Sequence, residues 1–515
     1  MAESDRRVLA RSSGWSSLSF VAGAATGPLL SILIVRSMPH REYGSLSLGT
    51  DAVGIIATLA SFGLGGALTQ LLSSEATQHG GPGQRAVMSL GFRFASWASA
   101  AALIVMGVTA VIFMETPTLR SATWTLVVMA PVAALAPVQG VIVGAYRAFG
   151  WPGRLASVTV VSGAATAVAV LTVVLATVPH SLTVGAAFDA RPAAFVIAGL
   201  PALWLWRKGR AGPDGPQPSL AVSRLLSLAI AFALTMIFAS LVAQLDVLVL
   251  GAFDGTRAVG IYAPTSAVAG AVVMIAPYVV GNWYLPLAAR RLAEGNAQAV
   301  AAIYHFATRA AIAITSPLLA LVLVCPGAVL TFLFGHGIAQ DATALRIMGA
   351  GALAATLPGF NSTTLDAKGL AGFTTRRLLV MISISVCLCF CLVPLLGANG
   401  AALATALALI AENVVCSLAV HRRLHLAPWD WRTAAVAGAL GLSIAIDVIV
   451  VSRTSVPLVK CGLVAACTAL LTGGAFLATA GSVMRFRSRD SHTTPEGACP
   501  APALGTPPSP ASRHD

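Results

Sequence analysis

The chain has 515 residues, 57% of them hydrophobic and only 10% charged. A water-soluble globule of this length could not bury so much apolar surface, so a soluble enzyme is excluded and a polytopic membrane protein is implied. The formal net charge of +13 does not call for nucleic acid, because no stretch interleaves aromatics with Lys and Arg on a polar scaffold.

Uncharged runs recur about every 30 residues. Each is long enough to cross a hydrocarbon core of about 30 Å as a helix, and none shows the apolar/polar alternation of a barrel strand. Residues 1–12 form a polar tail carrying Arg6, Arg7 and Arg11. The first span, about 15–35, has no small-residue cleavage site followed by a soluble domain and reads as a retained signal-anchor. Spans at about 44–72, 86–114, 122–145, 155–178 and 182–206 complete an N-terminal lobe over 13–206. The fourth ends in YRAFGWPGR (146–154), where Gly and Pro break the helix.

The Gly- and Pro-rich segment 207–221 reads as a linker. A C-terminal lobe over 222–420 follows, with spans at about 222–251, 258–287, 310–334, 342–365, 378–396 and 401–420. The basic run HRRLH opens a segment, 421–484, with two more spans at about 433–451 and 456–484. Residues 485–515 have almost no aliphatics and are expected to be disordered. The predicted class is thus an all-α membrane protein of about fourteen helices, six plus six with two appended.

With the N-terminus inside, 23 of the 32 Lys and Arg residues fall in inner segments, 7 in outer ones, and 2, Arg93 and Arg191, within helices. By the positive-inside rule both termini lie on the cytoplasmic side of the cell membrane. Of the eight cysteines, all but Cys499 lie in or beside apolar runs, and Cys387-Leu-Cys389-Phe-Cys391 has no His, Asp or Glu nearby. They read as ordinary membrane-helix residues, with no metal site and no cofactor expected.

The two lobes read as copies. LIVRSMPHREYGSL (33–46) and QLDVLVLGAFDGTRAVGIYA (244–263) share an aliphatic run, a polar turn and a small residue; Gly44 and Gly260 are 216 residues apart, and Gly150 and Gly369 are 219 apart. Six spans per copy, an even number, give both the same orientation, related by an axis along the membrane normal. Asp246 lies between apolar runs in the second copy. An ionisable group at that depth costs roughly 2.5–3.5 kcal/mol on insertion scales, so it marks a functional site or an interhelical ion pair.

Taken together, Arg36 to Gly44, SFGLGGALTQ (61–70), the QG…YRAFG pattern (139–150), LDVLVLGAFDGTRAVGIYA and PLLGANGAALATAL (394–407) resemble the Wzx-type polysaccharide exporters of the multidrug/oligosaccharidyl-lipid/polysaccharide (MOP) flippase superfamily over roughly residues 13–420. The resemblance implies a two-lobed, MATE-like bundle. Such a bundle opens a central cavity alternately to each side and moves an undecaprenyl-diphosphate-linked saccharide across the membrane, beside other polysaccharide-assembly membrane proteins. The count of fourteen spans departs from the usual twelve of Wzx-type members and is similar to the lipid II flippases, whose last two helices form a lipid groove.

A lipid diphosphate needs cations and polar surface at membrane depth. Arg36, Arg93 and Arg191, with Asp246, Gln244 and Asn282, are the candidates to line a substrate cavity. Asp51, Asp189 and Glu412 are the candidates to pair with the arginines or to bind a coupling H⁺ or Na⁺. For Arg36 and Arg93 the competing reading is snorkelling to the headgroups; for the acids it is a contact between helices. Asp189 and Arg191, two apart, occupy different helix faces.

Three other functions compete with oligosaccharide flipping. One is a lipid II flippase for peptidoglycan synthesis, and another a cation-coupled small-molecule exporter, whose cavity would be more aromatic. The third, a membrane glycosyltransferase or polymerase, is disfavoured because the outer connections are about ten residues or shorter and carry no paired carboxylates or metal ligands.

Overall fold

The computed structural model describes residues 30–490 apart from 79, 150, 177–179, 209–217, 296, 369–370, 428 and 454–456. The expected N-terminal tail, most of the first span, Gly150, Gly369, the centre of the linker and the tail beyond 490 therefore lie outside the described residues. Those described are helical, with no strand among them.

The N-terminal half comprises α1 (30–37), α2 (His40–Ser61), α3 (Leu64–Gln78), α4 (Gly80–Glu115), α5 (Thr123–Val128), α6 (Ala130–Ala148), α7 (Pro152–Leu175), α8 (Ser181–Phe188) and α9 (Ala190–Lys208). The C-terminal half comprises α10 (Pro218–Ala276), α11 (Asn282–Ala293), α12 (Ala297–Val324), α13 (Pro326–Phe334), α14 (Ala342–Thr356), α15 (Asn361–Ala367), α16 (Ala371–Leu396) and α17 (Ala398–Leu424). The pair α18 (Trp431–Arg453) and α19 (Pro457–Asp490) completes the chain.

Local chemistry sets several of the ends. Pro152 and Pro326 open α7 and α13, where a missing N–H and a fixed φ cost nothing. Gly335, at φ 95°, closes α13. Asp430 accepts the Thr433 N–H at 2.8 Å and its hydroxyl at 2.5 Å, capping the start of α18. Partial burial pushes the Asp430 carboxyl up, but the Thr433 hydrogen bonds and the nearby His305 and Arg309 hold it below its usual value.

Among the described residues, ten helical stretches are long and apolar enough to cross a membrane, or eleven if α5 and α6, bent by 43°, count as one. The sequence predicted about fourteen, and three features account for the difference. The first span lies mostly outside the described residues. The seventh registers only as the short apolar stretch Val222–Leu234. The tenth breaks at Pro358-Gly359, with Gly359 at φ 81°, into α14 and the short α15.

Large apolar side chains such as Ile104, Ile197, Leu395 and Leu470 are exposed. On helices of this hydropathy such faces belong against lipid, which offers no hydrophobic drive between helices and leaves close packing and polar contacts to hold the bundle. The appended helices follow this rule. α18 and α19 lie on α12, where Ser316 and Thr472 share a 2.7 Å hydrogen bond. Within the pair, Thr468 donates to buried Asp447 at 2.8 Å.

The halves meet along α2 and α10, and the two glycines of the repeat meet there. A Cβ on Gly44 would overlap the carbonyl of Thr256, and one on Gly260 would overlap the carbonyl of His40. Thr256 precedes Gly260 by four residues, as His40 precedes Gly44. The contact is therefore reciprocal, as two copies crossing at a local two-fold axis require, and only residues without side chains permit it.

Candidate functional site

Asp246 is buried in the first part of α10. Its Oδ2 accepts from the Tyr262 hydroxyl at 2.7 Å and from Thr405 Oγ1 of α17 at 3.3 Å, and its Oδ1 accepts the Val247 N–H at 2.9 Å. Sixteen residues of straight helix would part Asp246 from Tyr262 by about 24 Å. They meet because Gly255, at φ 80° and ψ −178°, leaves helical geometry and turns the chain back on itself. The DGTR turn seen in the sequence is thus what places hydroxyl and carboxylate together.

The N-terminal half contributes from α2. Ser47 donates to Asp51 Oδ2 at 3.4 Å, and the Asp51 carboxyl lies within electrostatic reach of Asp246. One turn along, Gly54 faces Gln244: a Cβ there would lie 3.0 Å from Gln244 Oε1 and 3.1 Å from its Nε2. Gln244 Oε1 is buried without a hydrogen-bond partner among the described residues. Two carboxyls and an amide with an open acceptor thus converge on the seam from both halves. Such a group can take up a proton or a small cation, and can offer hydrogen bonds to a polar passenger.

The remaining predicted residues lie elsewhere. Arg36 is exposed at the end of α1; its Nε donates to Leu333 O at 2.8 Å and its Nη2 to Phe332 O. There it caps the C-terminus of α13 across the seam, where carbonyls and helix dipole favour a cation. Arg93 and Arg191 are exposed on α4 and α9. Asp189 ends α8, half-buried, with Oδ1 lacking a hydrogen bond among the described residues. Glu412 faces Arg377 at 3.9 Å between α16 and α17. Asn282 begins α11, and its side chain falls outside the described residues.

Sequence reasoning missed Tyr262, Thr405 and Asp341. The first two stand inside the GIYA and LATAL segments that carried the family resemblance, which was their only signal. Asp341 lies at the start of α14, buried, within hydrogen-bonding reach of Thr265 and electrostatic reach of Tyr262. Burial pushes its carboxyl up to about 6, against the lowering effect of Thr265. Arg309 of α12, a cation close to a span end, is 2% exposed, with Nη1 3.8 Å from Asp430 Oδ2.

The sequence profile of polysaccharide biosynthesis proteins matches residues 9–290. The chain belongs to that family. No curated protein sequence matches it. This family member has the fold of the MOP transporters. It is similar to the lipid II flippase MurJ in an inward closed conformation, with a TM-score of 0.66 and 12% identity over 92% of this chain and 99% of that one. It is also similar to an inward-facing multidrug resistance MATE family transporter, at 0.64 and 15% over 78% and 94%. A MOP superfamily transporter from Pyrococcus furiosus matches at 0.52 and 15% over 81% and 95%. Family and fold neighbours are transporters and flippases, and the chain is a multi-pass membrane protein.

Proposed function

We propose that the protein moves an undecaprenyl-diphosphate-linked oligosaccharide from the inner to the outer leaflet of the cytoplasmic membrane for surface polysaccharide synthesis, with its halves rocking about the α2–α10 seam. The observation that carries the reading is that Asp51 and Gly54 of α2 face Asp246 and Gln244 of α10 across that seam, in a chain of the polysaccharide biosynthesis family. A polar centre shared between two lobes is where an alternating-access carrier exposes its passenger first to one side and then to the other. The basic residues put the Gly44–Gly260 contact at the outer end, so the arrangement with that contact formed is closed outward. Asp246 and Asp51 then serve as the coupling pair for H⁺ or Na⁺.

Lipid II is the second reading. The likeness to MurJ extends over 92% of this chain, against 78% for the inward-facing MATE transporter. Deleting the gene and analysing the inner leaflet tests both readings. An accumulated lipid-linked oligosaccharide with loss of surface polymer supports the first, and an accumulated peptidoglycan precursor supports the second. Normal surface polymer with no accumulated lipid-linked saccharide would overturn both.

A further inference from the structure

We infer that an apolar slot on the flank of the seam, between α2, α4 and the start of α10, takes the isoprenoid tail of the substrate while Arg93 holds its diphosphate. Cargo then loads here from the inner leaflet. The inference rests on the flippase reading above and adds a site to it. The slot has a volume of about 410 Å³ and is walled by Leu59 and Phe62 of α2, Phe94, Trp97 and Val105 of α4, and Leu226 of α10. Both halves of the protein thus build it.

Its cation is placed for an anionic lipid. Arg93 precedes Trp97 by one turn and so shares the helix face that Trp97 turns to the slot. It is exposed. In the orientation set by the basic residues, α4 runs upward from the cytoplasm here, so Arg93 lies on the cytoplasmic side of the slot. Arg93 is six residues past the start of its apolar stretch at Val87, about 9 Å along the helix, which an arginine spans by reaching back to the headgroups. A neutral lipid would leave that charge unused. A long-tailed diphosphate satisfies the apolar wall and the planar fork together.

The backbone beside the slot is strained in a way that ties it to the seam. Phe62, a non-glycine, sits at φ 43°, followed by Gly63 at φ 65°. A Cβ on Gly63 would lie 2.6 Å from Ala233 N and 2.7 Å from Phe232 Cβ of α10. The break between α2 and α3 is therefore wedged against the opposite half. Strain of this kind persists where surrounding packing over-determines it, typically at ligand clamps and switches. With walls from both halves, a tail in the slot bridges the two sides of the seam.

The test is equilibrium binding to the full chain in phosphatidylcholine nanodiscs, with undecaprenyl diphosphate, undecaprenol, inorganic diphosphate and phosphatidylglycerol as probes. Ala98→Trp and Ala101→Trp fill the slot. Arg93→Gln removes the exposed charge and leaves the fold intact should the filled variants misfold. Undecaprenyl diphosphate is expected to bind at least tenfold more weakly to both sets. Undecaprenol binding should be lost only on filling, and inorganic diphosphate should bind too weakly to detect.

Unchanged affinity in the folded variants overturns the inference. So does displacement of undecaprenyl diphosphate by equimolar phosphatidylglycerol, which would make the slot a seat for ordinary membrane lipid. A filled variant that flips lipid-linked saccharide at the wild-type rate sinks the slot and leaves the flippase reading standing. A wild-type protein that neither binds these lipids nor flips any sinks that reading itself.

Discussion

Gly44→Ala places a methyl 2.7 Å from the Thr256 carbonyl carbon and 2.8 Å from Gly260 N, inside the 3.0 Å that real Cβ contacts essentially never breach. The obstacle is helical backbone, so relief requires α2 and α10 to part. Overpacking of this kind costs about 1–3 kcal/mol. Alanine is worth about 1 kcal/mol over glycine inside a helix, but α2 stays helical whether the seam is open or closed, and that gain cancels. The seam equilibrium should therefore shift toward the open arrangement by roughly 5- to 150-fold, at about 1.4 kcal/mol per tenfold. Thr256 is 4% exposed; as Thr256→Cys in a chain whose native cysteines are alanine, it reports opening through reaction with a membrane-impermeant maleimide. Gly44→Ala and Gly260→Ala should both speed labelling. Gly107→Ala, where an added Cβ meets nothing within 4 Å, should not. Equal labelling of all four proteins would refute the crossing.

Three further outcomes follow from the same contacts. Arg36→Gln removes a charged cap from the α13 C-terminus and, at an exposed site, should weaken the closed seam by about 1 kcal/mol; an unchanged labelling rate in the Thr256→Cys background would count against the cap. Raising the Asp341 carboxyl from 3.8 to about 6 sets about 3 kcal/mol against its ionised form. Because the unfolded chain binds fewer protons in that window, stability falls as pH rises from about 4 to 6 and stays lowered above it. Asp341→Asn should therefore raise the unfolding midpoint at pH 7.5 and leave it unchanged at pH 4, and a pH-independent difference would contradict this. Asp430→Asn strips the countercharge from buried Arg309; with Asp430 28% exposed, the loss should fall below the usual 3–5 kcal/mol, at about 1–3 kcal/mol. A midpoint within error of wild type would show the pair to be idle.

Hydropathy and charge were enough to read the helical membrane class, and the spacing of Gly44 and Gly260 pointed to residues that the fold brings into contact. Asp246 and Gln244 were legible because a polar group in an apolar run has few reasons to be there. Periodicity failed where azimuth mattered. Arg93 and Arg191 sit at membrane depth by sequence, yet the folded helices present them on exposed faces, which depth alone cannot reveal. Tyr262 and Thr405 looked like ordinary helix residues; their role depends on the reversal at Gly255 and on packing against α17. Arg309 and Arg377 were hidden for the opposite reason, since inner-loop arithmetic treats every cation near a span end as solvated. The split of the tenth span is local chemistry, Pro358-Gly359, that a hydropathy window averages away.

The most direct measurement is translocation itself, with the purified chain in proteoliposomes carrying an undecaprenyl-diphosphate-linked saccharide and an impermeant glycosidase scoring its arrival in the outer leaflet. The wild type should deliver cargo well above protein-free vesicles, and Asp246→Asn, folded and inserted, at least tenfold more slowly. Delivery by the wild type no faster than in empty vesicles, or undiminished in Asp246→Asn, would contradict a carrier built around that carboxylate.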